Sequence, residues 1–363
     1  MKTYPIPMVP GPVSVLQTVL NAYQTNYGSS DIEPEFLELY NLAESNLQKL
    51  MDTHKQVVIM TGEGMIALWG ALKSCLSPGD RVLSLSTGLF GTGIGEMART
   101  IGADVETITF PSDETFSDWE RIEDAIVRFK PKMITAVHCE TPSGTLNPIE
   151  KLGALKARHN VPLLYVDAVS SVGGTPVHAD QWHVDLCLGG TQKCISAPAS
   201  LSFMTVSDTA WEIIEQVKYP GYDALLPYKT AQKDFYFPYT PYWHGIAAMN
   251  KGIELILEEG LDNCIRRHQT IADYCCTRLV EIGAELYPKP DAIQSPTVTA
   301  VKVPAGITYA EMDKRFRDSG LVVGGNYGEL AGKVYRLGHM GTQANKALVD
   351  KALEVIQRVM SSL

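Results

Sequence analysis

The feature that most constrains this chain is an alternation running from residue 56 to residue 206, in which short β-branched or apolar runs are each followed by a helical stretch. QVVIM (56–60), RVLSLS (81–86), VETITF (105–110), KMITAVH (132–138), PLLYVD (162–167), DLCL (185–188) and LSFMTV (201–206) read as strands. Between them, 64–76, 91–101, 119–129 and 148–159 read as helices, the first apolar on nearly every face and hence buried. Strands that alternate with helices pair in parallel, with helices packed on both faces of the sheet. Ligands in such sheets bind beyond the carboxyl ends of the strands. Residues directly after these runs are therefore the first candidates for chemistry.

The expected fold class is α/β, with a mostly parallel central sheet covered by helices on both faces and a smaller C-terminal α+β domain. Past residue 210 the texture changes: 219–243 is rich in Tyr, Pro and Phe without a clear period and reads as an ordered irregular segment. A long helix over 246–258 leads to the smaller lobe, with a strand at 297–303, a helix at 309–319, short strands near 321 and 334, and a final helix from Asn345. The expected organisation is an N-terminal arm (1–15), a large ligand-binding domain (16–260) and a small C-terminal domain (261–363).

Charge and composition narrow the function. Lys plus Arg number 31 against 41 Asp plus Glu, a net charge of −10, which argues against nucleic acid or an anionic membrane surface as partner. No run of ~18 apolar residues exists to span a membrane. The N-terminal MKTYPIPMVPGPV has prolines where a signal peptide needs an apolar run, so a cytoplasmic protein is expected. Seven cysteines, an odd number with no CxxC pair, read as reduced thiols rather than a disulfide framework. His178 and His183 flank Asp180 at a spacing that matches no metal site, and a surface loop is the better reading.

Two residues stand where the sheet places chemistry. LLYVD ends in Asp167, and GGTQK sets Lys193 in a turn 26 residues later. A carboxylate and an amine at neighbouring strand ends can face each other across a flat ligand, as pyridoxal chemistry requires. The amine condenses with an aldehyde as a Schiff base, while the carboxylate keeps a pyridine nitrogen protonated so that the ring acts as an electron sink. A buried salt bridge would look the same, so the pair alone does not decide.

The surrounding words do more. ETPSGTLNP (140–148), VDAVSSVGG (166–174) and VDLCLGGTQKC (184–194) resemble class V aminotransferases of the alanine–glyoxylate and serine–pyruvate kind. TGEG (61–64), SPTVTAV (295–301) and VYRLGHMG (334–341) extend the resemblance from about Pro10 to the C-terminal helix. It implies fold type I, pyridoxal 5′-phosphate as cofactor, and a homodimer with active sites at the subunit boundary. It implies transfer of an amino group from a small-molecule donor to a small 2-oxo acid, pyruvate or glyoxylate. By resemblance, Lys193 and Asp167 are catalytic, Thr141 meets the ring's phenolic oxygen, Phe90 stacks on the ring, and Arg336 binds the substrate carboxylate. Gln192 and Thr240 lie around the phosphate, Thr240 reaching in from the other subunit. The backbone of Gly64 and Met65 opens the helix that would hold that phosphate.

Three positions depart from the family pattern. Glu63 stands where a small or hydroxyl residue is common, Phe237 where many relatives have a phosphate-binding tyrosine, and Ser200 where glycine is usual. A carboxylate suits a helix N-terminus for the same reason that a phosphate does, and repels a dianion beside it. Glu63 and Phe237 are similar to the pyridoxamine–pyruvate branch, which binds free pyridoxamine or pyridoxal as substrate. Against that branch, a second arginine nine residues before Arg336 is replaced by Tyr327. The alternative for Glu63 is a side chain turned to solvent or paired with a lysine. A lyase on the same fold and a non-catalytic B6-binding domain are the rivals. The first lacks a C-terminal loop cysteine, since Cys276 falls in an expected helix, and the second lacks a basic DNA-binding region.

Overall fold

In the computed structural model, which describes residues 3–362, the alternation becomes a seven-stranded sheet in the order 56–61, 201–206, 186–190, 163–167, 133–137, 81–86, 104–109. Every pairing from Leu186–Gly190 to Asp104–Thr109 is parallel. The strands Met133–Val137, Leu186–Gly190 and Leu201–Val206 are buried along their whole length. Their unbroken apolar runs thus reflect helices on both faces. Helix Gly64–Cys75 buries eight residues, among them Ala67, Leu68, Ala71 and Leu72, as its all-round apolarity requires.

One strand runs the other way. Leu201–Val206 pairs antiparallel with both Leu186–Gly190 and Gln56–Thr61. Two reversals restore direction, so the edge strand Gln56–Thr61 ends at the same side of the sheet as Leu163–Asp167. The TGEG turn is thereby delivered to the edge where Asp167 and the Lys193 turn also lie.

Several elements escaped the sequence reading. Helices Gln17–Gln24, Pro34–Leu50 and Asp208–Val217 were not expected. Pro34–Leu50 carries a clear signal all the same, since its buried residues Phe36, Tyr40, Ala43, Leu47 and Leu50 recur at helical spacing. The long helix extends over Trp243–Glu259, stops at Gly260 and is followed by a second, Leu261–Glu281. The irregular segment contains a 3-10 turn, Leu226–Lys229, and a single helical turn, Ala231–Asp234.

A second layer joins Val298–Lys302 to Val334–Gly338 antiparallel, placing Arg336 opposite Ala300. Helices Leu261–Glu281, Tyr309–Asp318 and Lys346–Met360 pack on it around Phe316, Tyr335 and Ile356. The N-terminal residues join this layer, because Ile6–Met8 pairs in parallel with Leu321–Val323. From there the chain crosses back to the large sheet: Val13 N donates to Gln192 O at 3.1 Å, and Gln343 Nε2 to Val9 O at 2.8 Å. Gly338 permits this close passage, since a Cβ there would lie 2.3 Å from Val9 O.

Candidate active site

Asp167 closes its strand in register with Val137 on one side and Leu188 on the other, so its position is fixed by two ladders. Its carboxylate accepts from Val169 N at 2.9 Å and lies half-buried at the end of the strand. Burial pushes its pKa up to about 6, while the Val169 amide and the charge of Lys193 hold it down and Glu63 pushes it up. A carboxylate under that strain gains most from a cation brought against it.

Lys193 sits in the turn after Leu186–Gly190, its amine buried and donating to Pro10 O at 2.5 Å. Burial lowers its pKa, and the nearby charge of Arg336 lowers it further. The N-terminal strap lies directly on this amine. Gly11 (φ +94°) permits the approach, since a Cβ there would be 2.7 Å from Lys193 Cδ. A lowered pKa favours the neutral amine, the form that attacks a carbonyl.

Arg336 enters from the second layer and is 5% exposed. Its Nε and Nη2 donate to Gly325 O at 2.8 and 2.6 Å, and the Tyr327 ring lies 5.1 Å from its guanidinium carbon. Among the described residues no carboxylate pairs with it. A buried, oriented guanidinium in that state suits a ligand carboxylate.

Thr141 is buried immediately after the short strand Cys139–Glu140. Phe90 lies half-buried in the first turn of helix Leu89–Thr100. Gln192 donates Nε2 to Glu63 Oε2 at 3.3 Å and has a buried Oε1 that takes no partner.

Glu63 is exposed, but its carboxylate bends back onto the chain, and among the described residues no lysine pairs with it. It is the N-cap of helix Gly64–Cys75, and its Oε1 accepts from Met65 N at 3.1 Å. Its carboxylate therefore already uses the amide and the Gln192 side chain that a phosphate would take. Phe237 points into its own chain's aromatic cluster, with ring centroids 5.0 Å from Tyr40 and 5.7 Å from Phe36. Thr240 is exposed on the irregular segment. Ser200 needs no glycine, because its φ is not positive; its hydroxyl bonds Pro198 O and its carbonyl accepts from Gly62 N at 2.8 Å.

The sequence reading missed Glu140, whose carboxylate takes the amides of Phe90 and Gly91, and Tyr239, whose hydroxyl accepts from Thr61 N at 2.9 Å. It missed the strap at Pro10 and Gly11 as well. Only Glu140 carried a signal, an acidic residue three positions past the end of a buried strand. Cys194, beside the lysine, is a buried thiol whose pKa burial drives upward, which leaves it no nucleophile. Asp180 pairs with Lys55 and accepts from Thr53 and His54, while His178 pairs with Asp52. That loop is held together by ordinary ion pairs.

The donor set fits a pyridoxal ring. A carboxylate at one strand end suits its nitrogen, an amine at the next its aldehyde and a hydroxyl its phenolic oxygen, while the orphaned Gln192 Oε1 is an open acceptor beside Glu63 that would take a donor rather than a phosphate oxygen. A mostly parallel sheet carrying these groups at adjoining strand ends, under a second α+β layer, defines a fold type I pyridoxal-phosphate enzyme. The chain belongs to the class-V aminotransferase family, whose model matches residues 10–334. It is 34% identical to an uncharacterized aminotransferase of Methanocaldococcus jannaschii, over 94% of this chain and 89% of that protein. Pyridoxamine–pyruvate transaminase of Mesorhizobium japonicum is 32% identical over 98% of this chain and 92% of its own length. The crystal structure of alanine–glyoxylate aminotransferase from Nostoc sp. superposes with a TM-score of 0.94 at 31% identity, covering 99% of this chain and 96% of that one.

Proposed function

We propose that this aminotransferase moves an amino group from a small amino donor to a small 2-oxo acid, pyruvate or glyoxylate, with Lys193 and Asp167 as its catalytic residues. The observation that carries the reading is the placement of Asp167 and Lys193 at adjoining strand ends, Asp167 in register with Leu188 and the Lys193 amine held under Pro10 O, each group sensing the other's charge. Pyridoxal 5′-phosphate supplies an aldehyde that takes up the amino group and a ring that accepts the electron pair. Lys193 Nζ would hold the cofactor through its aldehyde and, once displaced by the donor's amine, would be the base that takes the substrate α-carbon proton and the acid that returns it at C4′. Asp167 keeps the ring nitrogen protonated, Thr141 orients the phenolic oxygen, and Phe90 covers one face. Arg336 fixes the substrate carboxylate. Gln192, Gly64 and Met65 serve the phosphate end, joined by Thr240 from a partner subunit.

A homodimer is supported by the exposed Met65, Leu89, Tyr222 and Tyr236, the last two 82% and 78% exposed. Seven free cysteines suit a reducing, cytoplasmic setting. The proposed organisation is an N-terminal arm (1–15), a large domain (16–260) and a small C-terminal domain (261–363), and the pairing of Ile6–Met8 with Leu321–Val323 supports an arm that packs on the small domain.

Glu63 favours a second reading, in which free pyridoxamine is the amino donor and pyridoxal the product. Its carboxylate lies on Met65 N and Gln192 Nε2, the donors that a phosphate would need. Absorbance titrations of dialysed protein with pyridoxal 5′-phosphate and with pyridoxal separate the two. Tighter binding of the phosphate form supports the first reading, and tighter binding of pyridoxal the second. Absence of amino transfer to pyruvate and glyoxylate from every donor, pyridoxamine included, overturns both.

A further inference from the structure

Helix Leu89–Thr100 starts on Gly88, which has no side chain with which to cap it. Its second and third residues, Phe90 and Gly91, instead give their amides to a carboxylate about fifty positions along the chain. Phe90 N reaches Glu140 Oε1 at 2.9 Å, and Gly91 N reaches Oε2 at 3.2 Å. These are the amides that a local N-cap ordinarily satisfies, and the helix dipole favours an anion there.

Glu140 itself is fixed. It forms a short antiparallel ladder with Thr145, and its carbonyl accepts from Gly144 N at 3.0 Å and from Ser143 Oγ at 3.2 Å. The side chain is fully buried, and among the described residues no cation pairs with it. Burial pushes its pKa up to about 7, with the two amides lowering it and Asp167 raising it. Gly88 makes room for it, since a Cβ there would lie 2.7 Å from Glu140 Cγ.

A serine or asparagine at position 88 would cap the helix without burying a charge. The costlier arrangement adds a rigid tie between two segments. One carries Phe90. The other continues directly into Thr141.

We propose that Glu140 is a positioning residue for the cofactor ring. Its carboxylate locks the backbone of Phe90 to the strand that leads into Thr141, so that aromatic face and hydroxyl are presented as one unit. The inference rests on the proposed role of Phe90, and the test keeps the two apart.

The first measurement is amide hydrogen exchange on cofactor-free protein. In Glu140→Gln, an amide NH₂ replaces one acceptor oxygen and the charge is lost. The Phe90 and Gly91 amides are expected to exchange roughly tenfold faster, while the central strands keep their protection. Gly88→Ala reports on the same contact if Glu140→Gln fails to fold. Gly88 has φ 175°, an extended conformation open to alanine, so that substitution acts through its clash with Glu140. Unchanged exchange at both amides in both variants overturns the clamp.

The second measurement is the dissociation constant for pyridoxal 5′-phosphate, or for pyridoxal if the parent binds that more tightly. Glu140→Gln and Phe90→Leu are each expected to weaken binding roughly tenfold, and the double variant by little more than either. Losses that multiply to about a hundredfold would show that Glu140 does not act through Phe90 and would overturn the proposal. An unaffected Phe90→Leu would overturn the reading of Phe90 and this inference with it, while the exchange data would still stand for the clamp.

Discussion

The floor of the site and its rim are built differently. Asp167 and Lys193 form the floor, one locked between two parallel neighbours and the other in the turn directly after a fully buried strand. Glu63 and Tyr327 lie at the rim, exposed on turns. The rim lies partly on Gln56–Thr61, an edge strand with one neighbour. Asp167 cannot move without breaking ladders inside the sheet, and Lys193 follows a buried strand closely, so the proton chemistry proposed for them would stand where geometry is least negotiable. Rim residues can change at small cost to the fold, and the departures Glu63 and Tyr327 both fall there.

This contrast can be broken at either end. Lys193→Ala should give the largest effect, a loss of turnover of roughly 10³- to 10⁴-fold with little change in thermal midpoint, because it removes both the covalent anchor and the general base. Near-normal turnover in that variant would end the assignment of the floor. Arg336→Met comes next. Losing a charged hydrogen-bonding group should raise KM for the 2-oxo acid by about a hundredfold, with cofactor affinity nearly unchanged. A fall in cofactor affinity instead would place Arg336 at the ring rather than at the substrate.

Glu63→Ser sharpens the comparison from the rim. It removes a carboxylate from the helix N-terminus and should tighten pyridoxal 5′-phosphate about tenfold while leaving pyridoxal within a few-fold. Equal changes for both would show that Glu63 does not face the phosphate position.

The smallest effect concerns pH. Asp167 has a folded pKa of about 6 against ~3.9 for an unconstrained aspartate, so the folded protein without cofactor holds a proton that the unfolded chain has lost. Its contribution to stability therefore declines as pH rises from about 4 to about 6. Asp167→Asn should gain on the parent by on the order of 2–3 kcal/mol across that window in denaturant melts of cofactor-free protein. Bound cofactor should cancel the gain, because a protonated ring nitrogen then pairs with the carboxylate. A difference independent of pH would mean that the carboxylate is solvated rather than buried.

Most of the sheet was legible because a strand buried on both faces must be apolar throughout, and short apolar runs between helical stretches leave few alternatives. RVLSLS, WERIEDAIVRF and LSFMTV matched their elements residue for residue, Arg81–Ser86, Trp119–Phe129 and Leu201–Val206. Reversal of Leu201–Val206 was not legible, since strand direction leaves no mark on hydrophobicity. Asp167 and Lys193 could be named because polar residues directly after buried strands are few. The strap over Lys193 could not: Pro10 contributes only a carbonyl, and any residue has one.

By itself, then, the sequence determined an α/β chain with a lysine and an aspartate at strand ends, and through its motifs the family to which it belongs. Local pattern suffices for this, because burial and period act within a few residues of each other. Tertiary structure alone decided that Gln192 reaches Glu63, that Phe237 turns into the aromatic core, and that Glu140 caps a helix some fifty residues away. Each depends on where a neighbouring amide or ring sits in space, and contacts between residues so far apart in the chain follow from packing rather than from any pattern along it.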